Sequence, residues 1–169
     1  MALSGDQEVV EAFPPQGADE SVRRLRSPAV VSCWEIPPAA DTSWRVPIAD
    51  VEQAIRDACR RWTVREIVCD PFQWARTYQT LEAEGLPIVE YPQSPQRMVP
   101  ATQRFYEAVL NEGLTHFGDP GLARHIDNCV LRVDARGSRL AKETRNSPRK
   151  IDLAVAAVMA LDRAATPNR

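Results

Sequence analysis

Between residues 64 and 91 the sequence carries a succession of signals that few folds accommodate. The run from Val64 to Cys69 is β-prone and stops at Asp70-Pro71, where proline lacks the N–H that a central strand must give. A helical stretch follows, with Trp74, Tyr78 and Leu81 on one face and Gly85 just past its end, a place where a left-handed residue commonly stops a helix. Pro87 to Tyr91 reads as the next strand. Strand, helix and strand joined by short links imply parallel neighbours with a right-handed crossover, and ligands of such sheets collect outside the carboxyl ends of the strands. Asp70 stands at such an end.

The flanking segments extend the α/β pattern. Ala29 to Trp34 is a β-prone run closed by Pro37-Pro38. After Pro47, Val51, Ala54, Ile55, Ala58, Cys59 and Trp62 recur at helical spacing, with charged residues on the other faces. Beyond Pro100, Ala101, Phe105, Ala108 and Val109 mark a third helix that Gly113 is expected to end, and a short helical piece is expected from Gly121 to Asn128. Cys129–Val133 and Ser138–Lys142 flank Asp134-Ala135-Arg136-Gly137 as a β-hairpin. Ser147-Pro148 offers an N-cap and a first-position proline to a last helix striped by Ile151, Ala154, Val155, Val158 and Leu161. Residues 1–27 mix acidic residues, Pro14-Pro15 and a basic run without apolar periodicity, and are expected to be a disordered tail. The expected organisation is that tail, one domain over 28–165 and a short tail over 166–169.

A chain of 169 residues suits one core rather than two. No apolar run reaches bilayer length, and Met1 is followed by polar and acidic residues rather than a secretory signal, so a cytoplasmic protein is expected. Cys33, Cys59, Cys69 and Cys129 are scattered without a C-x-x-C pair and read as small buried thiols. His116 and His125 have no cysteine partner at zinc-like spacing and read as packing or hydrogen-bonding groups. Trp62 and Trp74 fall on apolar stripes and are expected in the core.

Two carboxylates stand out. Asp70 ends a strand and Asp152 lies in the first turn of the last helix; alone, one could simply start a turn and the other favour the helix N-terminus. Together they could converge on one hard divalent ion such as magnesium or manganese. With a formal net charge of −2, the case for DNA is local: Arg132, Arg136, Arg139, Lys142, Arg145, Arg149 and Lys150 stand against only Asp134 and Glu143. Such a hairpin could contact phosphates without reading sequence, or be a solvated polar loop.

Trp34-Glu35 before a proline loop, Trp44-Arg45-Val46-Pro47, Val68-Cys69-Asp70-Pro71, Leu114-Thr115-His116, His125-Ile126-Asp127-Asn128 and Lys150 to Ala156 resemble, in that order, the nuclease domain of the phage terminase large subunit. The resemblance implies a ribonuclease H-like mixed sheet flanked by helices. It also implies an acidic triad with a two-metal Mg2+ or Mn2+ site that cuts concatemeric double-stranded DNA during packaging, in the cytoplasm of a bacterial host, with other terminase components and the capsid portal as partners. Asp70 and Asp152 match the second and third acids, and Arg136, Arg139, Lys142, Arg145 and Lys150 are the DNA-contact candidates. The first acid has no counterpart before Val31. Asp6 is the nearest by order, and the first strand is expected to be missing or altered. No G-x-x-x-x-G-K-[ST] loop occurs, so a packaging motor is not expected in this chain. The alternative is an inactive prophage remnant or split subunit that binds DNA or another terminase component.

Overall fold

The computed structural model describes residues 28–165 apart from 38, 42 and 73, together with the backbone of 2–4 and 7–12. The β-prone run at 29–34 becomes β3 (Ala29–Trp34), and two strands precede it, β1 (Ala2–Ser4) and β2 (Gln7–Ala12). They pair antiparallel in the order β1-β2-β3, with Leu3 opposite Glu8 and Val9 opposite Cys33. The expectation of a disordered segment over 1–27 is therefore corrected at these two strands; residue 1, 5–6, 13–27 and the expected tail 166–169 lie outside the described residues. The cause is partly non-local, because β2 finds its partner on β3 while β1 pairs with β2. A strand, β1, thus precedes β2 where a missing or altered first strand was expected.

β4 (Ile67–Cys69), α2 (Ala75–Ala83) and β5 (Ile88–Glu90) form the anticipated unit, the strands parallel with Ile67, Val68 and Cys69 opposite Ile88, Val89 and Glu90. Gly85 follows α2 with φ 79°, the left-handed stop its position required. β1 lies against β4, which sets the antiparallel three-stranded sheet beside the parallel two-stranded one.

The period-2 alternation of β4 distributes the core to two faces. Ile67 and Cys69 join a cluster with Val51 and Ile55 of α1 (Ile48–Arg61), Trp74, Leu81 and Ile88. Val68 joins the opposite cluster, built around α5 (Asp152–Ala165) with Tyr91, Met98 and Leu122. Residues 151–159 are all buried, so α5 is enclosed on every side rather than along one stripe. It begins later than Ser147-Pro148 implied. The Ser147 hydroxyl instead accepts from Arg149 N (3.2 Å) in a local turn, and the first intrahelical bond runs from Val155 N to Ile151 O (3.0 Å). The helix starts where the chain enters the core.

α3 (Pro95–Leu110) extends through Pro100 instead of starting after it. Proline removes one backbone donor near the helix start, and burial of Met98 and Ala101 on either side of it holds the turn together. The helix ends at Leu110, before Gly113, whose N–H bonds Ala108 O (2.8 Å) while Glu112 takes φ 53°. α4 (Pro120–Asp127) is capped by Asp119, whose Oδ1 accepts from Leu122 N (2.7 Å). The hairpin of β6 (Cys129–Asp134) and β7 (Gly137–Lys142) then packs on α3. Trp74 enters the core as expected, whereas Trp62 is half-buried beyond the end of α1 with the Arg61 guanidinium 4.8 Å from its ring centroid. No helix among the described residues is long and apolar enough to cross a membrane.

Candidate active site

Asp70 follows the last residue of β4, half-exposed, and its Oδ1 accepts from Phe72 N (3.0 Å). This closes a short turn over Pro71 and fixes one carboxylate oxygen at the carboxyl end of the strand. Phe72 beside it is 73% exposed.

Asp152 is the first residue of α5 and is 2% exposed. Burying a carboxylate is costly unless the surroundings compensate, and a helix N-terminus is a place where they do. α4 supplies the nearest support. His125, fully buried, accepts the N–H of Leu153 at Nδ1 (2.9 Å). Because a backbone N–H can only donate, Nδ1 carries no proton. The neutral ring is therefore protonated at Nε2, which donates to Glu35 Oε1 (3.1 Å). Burial holds the His125 pKa below its ordinary value, which favours the same neutral ring. For Glu35 partial burial alone would raise the pKa, but the bond from His125 and the Arg124 guanidinium paired with it outweigh that and lower it. Three residues after His125, Asn128 donates from Nδ2 to Lys150 O (2.9 Å).

The surroundings of Cys129 and Cys33 disfavour the thiolate. Burial and then the charge of Asp152 push Cys129 up to about 11; desolvation, Glu35, Asp119 and Asp152 do the same to Cys33 against a lowering by Arg124. Cys69 is buried and Cys59 half-buried as anticipated, but Cys33 is exposed, a consequence of lying on the outer strand of the sheet.

The basic hairpin is less free than its sequence implies. Asp134 accepts from Arg139 Nη1 (2.6 Å) and lies 3.6 Å from Arg136 Nε, and the Arg139 bond is the largest cause of its lowered pKa. Lys142 pairs in register with Cys129 at the base of the hairpin, the end that feels Asp152. Arg145 is exposed, and Lys150 is half-buried with its carbonyl held by Asn128. The structure thus gathers Asp152, His125, Glu35 and Arg124 on one side. Among the described residues no group of three or more His, Cys, Asp or Glu is arranged to hold a metal ion. His125, Asn128 and Glu35 are the residues that sequence reasoning left outside the site. Their visible signals were the Trp34-Glu35 strand end and the i, i+3 spacing of His125 and Asn128.

Two adjoining sheets between helices, with carboxylates after β4 and at the head of the buried α5, agree with the ribonuclease H-like fold expected from the sequence. Residues 11–168 match the family described as terminase large subunit, endonuclease domain, and the chain belongs to that family. The fold is similar to that in the crystal structure of the HK97 bacteriophage large terminase, with a TM-score of 0.72 and 19% identity over 93% of this chain. The chain spans 36% of that larger one. No curated protein sequence matches it.

Proposed function

We propose that this chain is a divalent-metal-dependent DNA endonuclease module that cuts concatemeric viral DNA during packaging, with Asp70 and Asp152 as the metal-holding carboxylates. The observation that carries the reading is Asp152 itself, a carboxylate buried at the head of a helix whose start is fixed on both sides by side chains of α4 and its C-cap residue. Family membership supports a nuclease role in phage DNA packaging.

Two aspartates are the hard oxygen donors that magnesium or manganese takes. Such ions are commonly held by one or two carboxylates, with phosphate oxygens and water filling the remaining positions. The donor chemistry of the two side chains suits such an ion, while among the described residues no group of three or more His, Cys, Asp or Glu is arranged to hold one. When bound, a divalent ion supplies Lewis-acid polarisation of a phosphate oxygen and activation of water. The chain's own part is to orient Asp70 through its turn and Asp152 through the α5 start, and to draw phosphates through Lys142, Arg145 and Lys150 near the base of the hairpin, with Arg136 and Arg139 held back by Asp134. Double-stranded DNA is the substrate of this reading, other terminase components and the capsid portal its protein partners, and the bacterial host cytoplasm its setting.

The full chain should nick supercoiled plasmid with manganese, and Asp70→Asn and Asp152→Asn should each lower the rate by at least about 100-fold, in line with loss of a group that holds the reacting centre. Wild-type activity in both variants would sink the assignment. A second reading, a non-catalytic chain that binds DNA or another terminase component, is favoured by one observation: none of the three residues of β1 is acidic. That reading expects DNA binding without nicking at any metal concentration.

A further inference from the structure

We propose that His125 of α4 and its C-cap residue Asn128, with Glu35 behind His125, are positioning residues that clamp the chain on both sides of Asp152 and so fix its carboxylate for a divalent ion. This rests on the reading of Asp152 as a metal-holding residue.

The first turn of a helix has N–H groups without intrahelical partners, and here they arise inside the core. The first intrahelical bond is made by Val155 N, leaving the N–H of Leu153 to be satisfied from elsewhere, and His125 Nδ1 accepts it at 2.9 Å. On the other side of Asp152, the carbonyl of Lys150 is taken by Asn128 Nδ2 at 2.9 Å. His125 lies in the last turn of α4 and Asn128 is its C-cap, and the helix start is capped by Asp119. Asp152 is therefore bracketed two residues before and one residue after by side chains from the C-terminal end of α4.

Glu35 completes the arrangement from β3. An imidazole can turn its ring, which would set a carbon opposite the Leu153 N–H, or change tautomer, which would set an N–H there; either change loses the acceptor. The bond from Nε2 to Glu35 Oε1 holds the proton on the far nitrogen and leaves Nδ1 as the acceptor. Arg124 in turn holds the Glu35 carboxylate. The logic is that of outer groups orienting a ligand, whose removal typically weakens metal binding 10- to 100-fold.

Manganese affinity of the full chain, measured by calorimetric titration well below each variant's melting temperature, tests the clamp, with hydrogen exchange of the segment 150–153 as a second readout. Asp152→Asn should abolish the manganese affinity. Glu35→Ala and Asn128→Ala should weaken it by about 10-fold while speeding exchange at 150–153. Glu35→Gln, whose amide oxygen still accepts from Nε2, should stay within about 3-fold of the wild type if outer-group orientation is what matters. His125→Asn keeps an acceptor near the Nδ1 position and should fall between wild type and His125→Leu. If His125→Leu does not fold, Glu35→Ala against Glu35→Gln still decides the matter. Unchanged manganese affinity in Glu35→Ala and Asn128→Ala, with Asp152→Asn dead, overturns the clamp and leaves the metal-holding assignment standing. Unchanged affinity in Asp152→Asn overturns that assignment and the clamp together.

Discussion

At the scale of single residues, the site's pH behaviour follows from one buried ring. His125 is held below its ordinary pKa by burial, so in acid the unfolded chain takes up its proton first. The stability contributed by keeping the ring neutral is fully present above the ordinary histidine pKa of about 6.5 and is lost as pH falls from there toward the folded value. The groups that face the ring are Glu35, Arg124 and the charge of Asp152. Glu35, with its pKa lowered, adds a second loss in the same direction at lower pH. The melting temperature should therefore fall between pH 7.5 and 5.5, and His125→Asn should flatten that slope while lowering stability at pH 7.5. An unchanged slope in the variant would assign the acid sensitivity to another group.

At the scale of elements, the hairpin shows how a local turn is set by a distant helix. Gly137 has φ 120°, a conformation side chains rarely adopt, and an added Cβ would lie 2.6 Å from Val99 Cγ1 of α3. Gly137→Ala should cost about 2–4 kcal/mol in denaturant unfolding, from backbone strain together with overpacking. Adding Val99→Ala should recover only the steric part, so a complete recovery would show that the backbone bears no strain. The same hairpin carries the proposed phosphate contacts, with Asp134 occupying Arg139 and Arg136. Asp134→Asn should tighten DNA binding several-fold and steepen its salt dependence, since each additional phosphate neutralised adds about one to the log-log slope. Weaker binding in that variant would mean that Asp134 organises the hairpin for DNA instead of competing with it. The hairpin, β3, the β4 stop at Asp70 and the glycine after α2 were all legible, because each is written in contiguous residues. The starts of α3 and α5 were not, since burial of Met98 and Ala101 overrides Pro100 and the turn at Ser147 stays outside the core. β2 takes its outer partner from β3, and the His125 bond to Glu35 joins residues 90 apart, so neither leaves a local pattern. Both proposed acids could be picked from the sequence; what holds Asp152 in place could not.

At the scale of the whole molecule, the question is whether the two sides of the sheet fold as one. One cluster surrounds α5, the other lies among α1, α2, β4 and β5, and β4 faces both through Val68 on one side and Ile67 and Cys69 on the other. α5 is tied across the sheet as well: Arg163 makes two bonds of 2.7 Å to Glu66, just before β4, while His125 holds its other end. Elements shared between two faces make partial unfolding costly, because either cluster would lose β4 when the other opens. The tryptophans provide a one-sided probe, since Trp74 belongs to the α1 and α2 cluster and Trp34 packs against it. Val158→Ala, a fully buried change in the α5 cluster, should cost about 1–3 kcal/mol by loss of buried methyl groups and a residual cavity. If the domain is one cooperative unit, that loss should shift the tryptophan fluorescence and far-ultraviolet circular dichroism transitions by the same amount, although Val158 is on the other side of the sheet. Leu81→Ala, in the tryptophan-bearing cluster, should do so too with a larger loss of about 2–5 kcal/mol. Fluorescence that stays at the wild-type midpoint in Val158→Ala while the dichroism moves would show the faces unfolding separately. The start of α5, and with it Asp152, would then be only as stable as one face.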